Sequence, residues 1–197
     1  MRNAFFIERL AAFITDVIIV TLVASIISMP FINTTNYKKL SDESNKITEN
    51  YLNHKLSTST YVNQTIDLNY EIYRETGVSN VLAIIIYALY FIVFQFYMGG
   101  QTIGKRLMKI KIVPNNGELT SNNYLIRGLL NNMILCNMSI CVFALVNKNI
   151  YYYGMSIVTF MQFIYVIICI FMIGFRKDSR SLSDLISKTK VVKEKIK

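Results

Sequence analysis

Residues 81–98 read VLAIIIYALYFIVFQFYM, a run of apolar side chains broken only by Gln95. At about 1.5 Å per residue, a helix of that length crosses most of a hydrocarbon core about 30 Å thick. A soluble domain would instead spread its apolar residues at a period of 2 or 3.6. Three more runs of this kind lie at about 10–32, 124–146 and 152–175. With 53% of the 197 residues hydrophobic and concentrated in runs, the chain reads as an all-α membrane protein. The expected fold is a four-transmembrane-helix bundle with short cytoplasmic β-like segments. The first run resembles a signal peptide only superficially: it is long, Asp16 interrupts it, and no small-x-small site closes it.

Four spans place both termini on one side. Fifteen of the 21 Lys and Arg residues lie in 1–9, 99–128 and 176–197, and the long segment 33–79 balances its five with six acids. The positive-inside rule then makes 33–79 an extracytoplasmic loop, 99–123 a cytoplasmic loop and 176–197 a cytoplasmic tail. The expected location is the cell membrane, with both termini cytoplasmic. The outer loop is polar, with one short amphipathic helix expected near 41–55. The net charge of +9 belongs to topology and to anionic lipid headgroups rather than to nucleic acid.

Gly99-Gly-Gln-Thr-Ile-Gly104-Lys105 fits seven places of the phosphate-binding loop G-x-x-x-x-G-K-[ST], but Arg106 stands where the Mg²⁺-ligating hydroxyl belongs. The segment also follows a membrane run instead of a buried strand. It reads as a tight turn leaving the membrane, with Lys105 and Arg106 meeting lipid phosphates, and no nucleotide is expected. Cys136, Cys141 and Cys169 all lie in apolar stretches and His54 is the sole histidine, so no metal or other cofactor is expected. The spans carry no nucleophile–base pair, so an enzyme is not expected.

Lys109–Val113 alternates basic and apolar residues, and 188–193 has a similar basic, β-branched character. Residues 108–113 and 188–193 are expected to pair in a small sheet under the membrane. Ser181-Leu-Ser-Asp184 is a capping-box pattern opening a short helix. Its Asp184 either serves the helix start or pairs with a buried arginine.

The costly residues are those within the spans. Arg9 and Asp16 are seven apart and share one face of the first helix. Arg9 sits at the edge and can snorkel, while Asp16 lies deeper and should face the bundle interior. Arg127 enters the third span at a comparable depth, with Asn131 one turn on; Asp16 either serves a functional site or fixes helix packing by pairing with Arg127 or capping a neighbour. Gln95, Asn132 and Gln162 complete the polar set, each amide read singly as packing glue.

Arg9-Leu-Ala-Ala-Phe-Ile-Thr-Asp16, the GGQTIGKRLMKIKIV stretch and SLSDLISKTKVV occur in an order that resembles the RDD family of membrane proteins. The resemblance spans nearly the whole chain apart from 33–79. It implies that Arg9, Asp16 and Asp184 are the family's arginine and two aspartates, and that Arg127 fits its later arginine. The family is mostly bacterial, and many members are described with three spans where four are counted here. It further implies a transport role. The costly residues make transport of a small cation or a proton-coupled solute the leading expectation, with Asp16 as the ion-coordinating or titrating carboxylate, Arg9 and Arg127 tuning it, Asp184 pairing with a basic residue in the inward-closed state, and Asn131 and Gln95 in the same polar cluster. A path through four helices would require a homo-oligomer. The alternative is a non-transporting assembly or regulatory protein that binds a partner through its outer loop or basic tail.

Overall fold

The computed structural model describes residues 2–194. Helix α1 (Phe6–Ser28) buries one residue per turn, Ala12, Asp16, Val20, Ala24 and Ser28, and leaves much of its remaining surface apolar and exposed. That is the pattern of a helix packed along one narrow stripe with lipid around the rest. The return passage is α4 (Gly77–Ala88), a π-helical stretch Leu89–Phe94 and the short α5 (Gln95–Tyr97). The longest helix is α9 (Lys148–Phe175), in which only Tyr151 is buried.

These three passages are long and apolar enough to cross a membrane. The run expected as a continuous span over 124–146 is instead two helices, α7 (Ser121–Asn131) and α8 (Ile134–Val146), bent by 64°. The break has a local cause. Asn132 turns its side-chain amide back onto the Gly128 carbonyl at 3.1 Å, and Met133 adopts φ +56°, a conformation that ends α-helical geometry for a residue with a Cβ. Counted as one passage, the bent pair makes four.

The segment 33–79, expected as a loop with one helix near 41–55, is nearly all helical. α2 (Thr34–Leu52) and α3 (Thr58–Glu75) form an antiparallel hairpin. Asn33 and Ser57 accept hydrogen bonds from the amides of Asn36 and Thr60 and cap the two helices. Tyr51 stacks on Tyr61 with ring centroids 4.3 Å apart. The polar composition of the segment fits the hairpin's small buried face, where only Leu68 is buried.

At the opposite end of the bundle the two basic segments pair as expected. Strands β1 (Ile110–Pro114) and β2 (Thr189–Lys193) are antiparallel, with Ile112 opposite Val191. The chain start joins them: Ala4 donates its amide hydrogen to the Val191 carbonyl at 3.0 Å, and Lys193 does the same to Arg2. Ala4, Ala12, Ile110, Ile112, Tyr124 and Val191 form one apolar cluster beneath the helices. Two short helices, α6 (Ile103–Leu107) and α10 (Leu182–Ile186), complete this sheet end. The first and last described residues therefore lie together, as an even number of passages requires.

Candidate functional site

Asp16 is 1% exposed and its carboxylate is held by three donors from one return segment. Tyr90 donates its hydroxyl to Oδ1 at 2.6 Å, Gly104 its amide to Oδ1 at 2.7 Å, and Thr102 its hydroxyl to Oδ2 at 2.5 Å. Each part follows from local sequence. Gly99 and Gly100, at φ +61° and +91°, turn the chain back. Thr102 caps α6, and Gly104 then lies so close to α1 that a Cβ would sit 2.2 Å from the Ala12 carbonyl oxygen. Charge-assisted hydrogen bonds of this kind are the strong ones.

Arg127 does not reach Asp16. It pairs with Asp184, which also accepts from Arg9 Nη1 at 2.6 Å. Arg127 Nη1 further donates to Thr189 Oγ1 at 3.0 Å, and Arg9 reaches the carbonyls of Ala4 and Val191. Arg9 therefore folds inward, with its side chain 10% exposed, rather than snorkelling. The reason is geometric: α10 sets a fully buried carboxylate between Arg9, on the first turn of α1, and Arg127, in the second half of α7, so both guanidiniums find a neutralising partner at the sheet end. Both readings of Asp184 hold together, since the Ser181 amide also donates to Oδ2 at 3.0 Å in a capping box. Burial opposes the Asp184 charge, but Arg127 and Arg9 more than offset it and hold the carboxyl well below its usual range. On α10 the inward face is Ser183, Asp184 and Ser187, while Ile186 faces out.

Lys105 also departs from expectation. Its ammonium turns into the bundle and donates to Gln95 Oε1 at 3.1 Å, where a headgroup contact was expected. Gly104 pins α6 against α1, so the next side chain is directed along the helix interface. Lys105 enters no ion pair among the described residues, and burial pulls its pKa down to about 7, with Arg127 adding to the shift. Arg106 is exposed. Asn131 accepts from the Tyr165 hydroxyl at 3.1 Å.

Two cavities lie along α1. The first, about 200 Å³, is bounded by Arg9, Asp16, Gln95, Lys105 and Arg127 at its polar side and by Phe13, Phe91, Val166 and Ile170 among its apolar walls. The second, about 350 Å³, is lined by Thr21, Ser25, Ser28, Ser79, Asn80 and Asn137 among others. The break between α7 and α8 falls between Asn132, on the first cavity, and Ile134, on the second. On α1, buried Val20 lines neither cavity and falls between Asp16, on the first, and Thr21, on the second, where a 2.7 Å hydrogen bond joins Thr21 to Tyr87.

The structure thus gathers Arg9, Arg127 and Asp184 in one cluster and Asp16 in another, with Gln95 and Lys105 beside both. Tyr90, Thr102 and Gly104 were missed as site residues. A threonine capping the turn after the glycine pair was a readable signal, whereas Tyr90 carries none within an apolar run. The π-helical stretch that aims Tyr90 has no sequence signature either, although such stretches often mark functional sites.

No curated protein and no solved structure matches this sequence. The model of the RDD family matches residues 3–188. That match takes in the Arg9–Asp184–Arg127 cluster, the Asp16 site and all the apolar helices, and the chain belongs to the RDD family of membrane proteins.

Proposed function

We propose that this protein carries a small solute across the membrane in a proton-coupled cycle. The observation that supports this reading is the pair of cavities stacked on one set of helices. α1, the α4–α5 passage and the α7–α8 passage each line the first cavity with one half and the second with the other. Asp16 and Thr21, the nearest lining residues on α1, are only about 7.5 Å apart along the axis. A short barrier between two opposed cavities is what alternating access needs.

The titrating group in this reading is Lys105. Asp16 spends its oxygens on three donors and holds α6 to α1. Lys105 is left with one neutral partner and an ammonium that gains or loses its proton near neutrality. The Arg9–Asp184–Arg127 cluster locks the sheet end. Arg106, exposed beside it, is the residue that would meet anionic headgroups at the cytoplasmic face. The working unit is a homo-oligomer, because four helices alone leave a narrow path.

The test is purified protein in liposomes loaded with a pH-sensitive dye. Solute or cation pulses should drive a pH change that Lys105→Met abolishes while its thermal stability is kept. A well-folded wild type that gives no pH change with any pulse sinks the reading.

The α2–α3 hairpin favours a second reading, a non-transporting assembly or regulatory protein. It projects a long polar surface and is tied to the start of α9 by a 2.6 Å ion pair between Lys148 and Asp67. Under that reading, deleting 34–75 removes a partner and leaves no flux to lose.

A further inference from the structure

Gln95 is 3% exposed and borders the first cavity. Its Oε1 accepts the Lys105 ammonium, which fixes which end of the amide is which. Its Nε2 is then a buried donor with no partner, an arrangement that native interiors rarely leave unmade. Lys105 itself uses one of its three donors.

The charges around this end do not balance. Arg9 and Asp16 face it from α1, Arg127 from α7 and Asp184 from α10, with Tyr165 and Cys169 on α9. Asp184 is neutralised by two arginines, and Asp16 accepts only hydroxyl and amide hydrogens. Three cations therefore face two carboxylates, and one positive charge is uncompensated whenever Lys105 is protonated. The unmet needs are for acceptors and for one negative charge.

Resting on the proton-coupled reading above, we infer that the first cavity binds a small monocarboxylate with an apolar body, its carboxylate on Lys105 Nζ and Gln95 Nε2. The apolar walls, Phe13, Phe91, Val166 and Ile170 among them, suit a short alkyl or aromatic tail. A volume near 200 Å³ lies below the range of about 300–1,000 Å³ typical of drug-sized ligands, which keeps the ligand small. Because the charged site needs protonated Lys105, binding of the anion and of the proton reinforce each other. A cation gains nothing here, since it would meet donors and a positive charge.

The experiment is saturable binding of radiolabelled octanoate to full-length protein in nanodiscs of zwitterionic lipid. Octylamine and octanol are the competitors. Octanoate should bind at about pH 6 and weaken about tenfold or more by about pH 8.5, as Lys105 loses its proton. Octylamine and octanol should compete at least about tenfold more weakly. Lys105→Met should abolish binding. Gln95→Glu, which gives Lys105 its own carboxylate and should keep the fold, should abolish it too. Equal competition by octanol or octylamine overturns the inference, as does pH-independent binding or full affinity in Gln95→Glu. Loss of octanoate binding when the nanodisc lipid is made anionic also overturns it, in favour of a lipid phosphate at the same donors. The two readings fail separately. Binding without a pH change in liposomes removes transport and keeps the ligand class. Proton movement that depends on Lys105 but answers only to cations does the reverse.

Discussion

Gly104 donates its amide hydrogen to Asp16 Oδ1 at 2.7 Å, and there is no room for a methyl group between them. One glycine thus does two things. It lets α6 lie against α1, and it presents a backbone donor to a carboxylate that would otherwise be costly within a membrane span. The segment that resembles a nucleotide loop is a brace for Asp16.

Substitution at that glycine tests the brace. Gly104→Ala should destabilise the protein by about 1–3 kcal/mol, because the neighbour it meets is backbone and cannot swing aside. Gly77→Ala, where a Cβ meets nothing within 4 Å, is the matched control and should be neutral or slightly stabilising. Thermal melting in detergent compares them, and equal midpoints would remove the close-packing argument.

The Asp184 cluster should carry more stability than any other polar group. Asp184→Asn leaves Arg9 and Arg127 facing each other with no charge between them, and should cost about 3–5 kcal/mol. The pH dependence has a defined sign. A carboxyl held low in the fold stabilises fully above its unfolded value of about 3.9 and loses that contribution as pH falls towards about 2. Acid melting curves of the wild type should therefore steepen below about pH 4 relative to Asp184→Asn.

Lys105 gives the opposite slope in a different window. Its pKa falls from 10.5 to about 7 on folding, so between those values the unfolded chain binds more protons and stability rises with pH. The melting midpoint should climb from about pH 7 towards about pH 10 in the wild type and stay flatter in Lys105→Met. Parallel profiles for the two proteins would show that Lys105 does not titrate in that range.

Opposite access to the two cavities can be read by labelling. In a background with Cys136, Cys141 and Cys169 replaced, Asn80→Cys borders the second cavity and Leu10→Cys the first. A membrane-impermeant thiol reagent should reach them from opposite faces of oriented vesicles. Labelling of both from the same face would argue against two opposed cavities.

Much of this arrangement was legible from local pattern. Long apolar runs report burial in lipid without reference to any partner, so the passages around Asp16 and Gln95 could be located from hydropathy. The alternation in Lys109–Val113 and the β-branched run before Lys193 were enough to pair two strands about 80 residues apart. An Asp in a span announced that it should face the bundle interior. Which donors it found was decided only in three dimensions. Asp16 took a tyrosine, a threonine and a glycine amide because Gly104 allows an approach that no periodicity encodes. Arg127 went to Asp184 because α10 reaches that depth first. Lys105, on a flexible stem beside a basic surface, reads as a headgroup contact from sequence and points inward only because α6 is pinned to α1. Hydropathy depends on each residue and its neighbours along the chain, whereas the choice of a polar partner depends on which backbones can touch, and only the tertiary packing sets that.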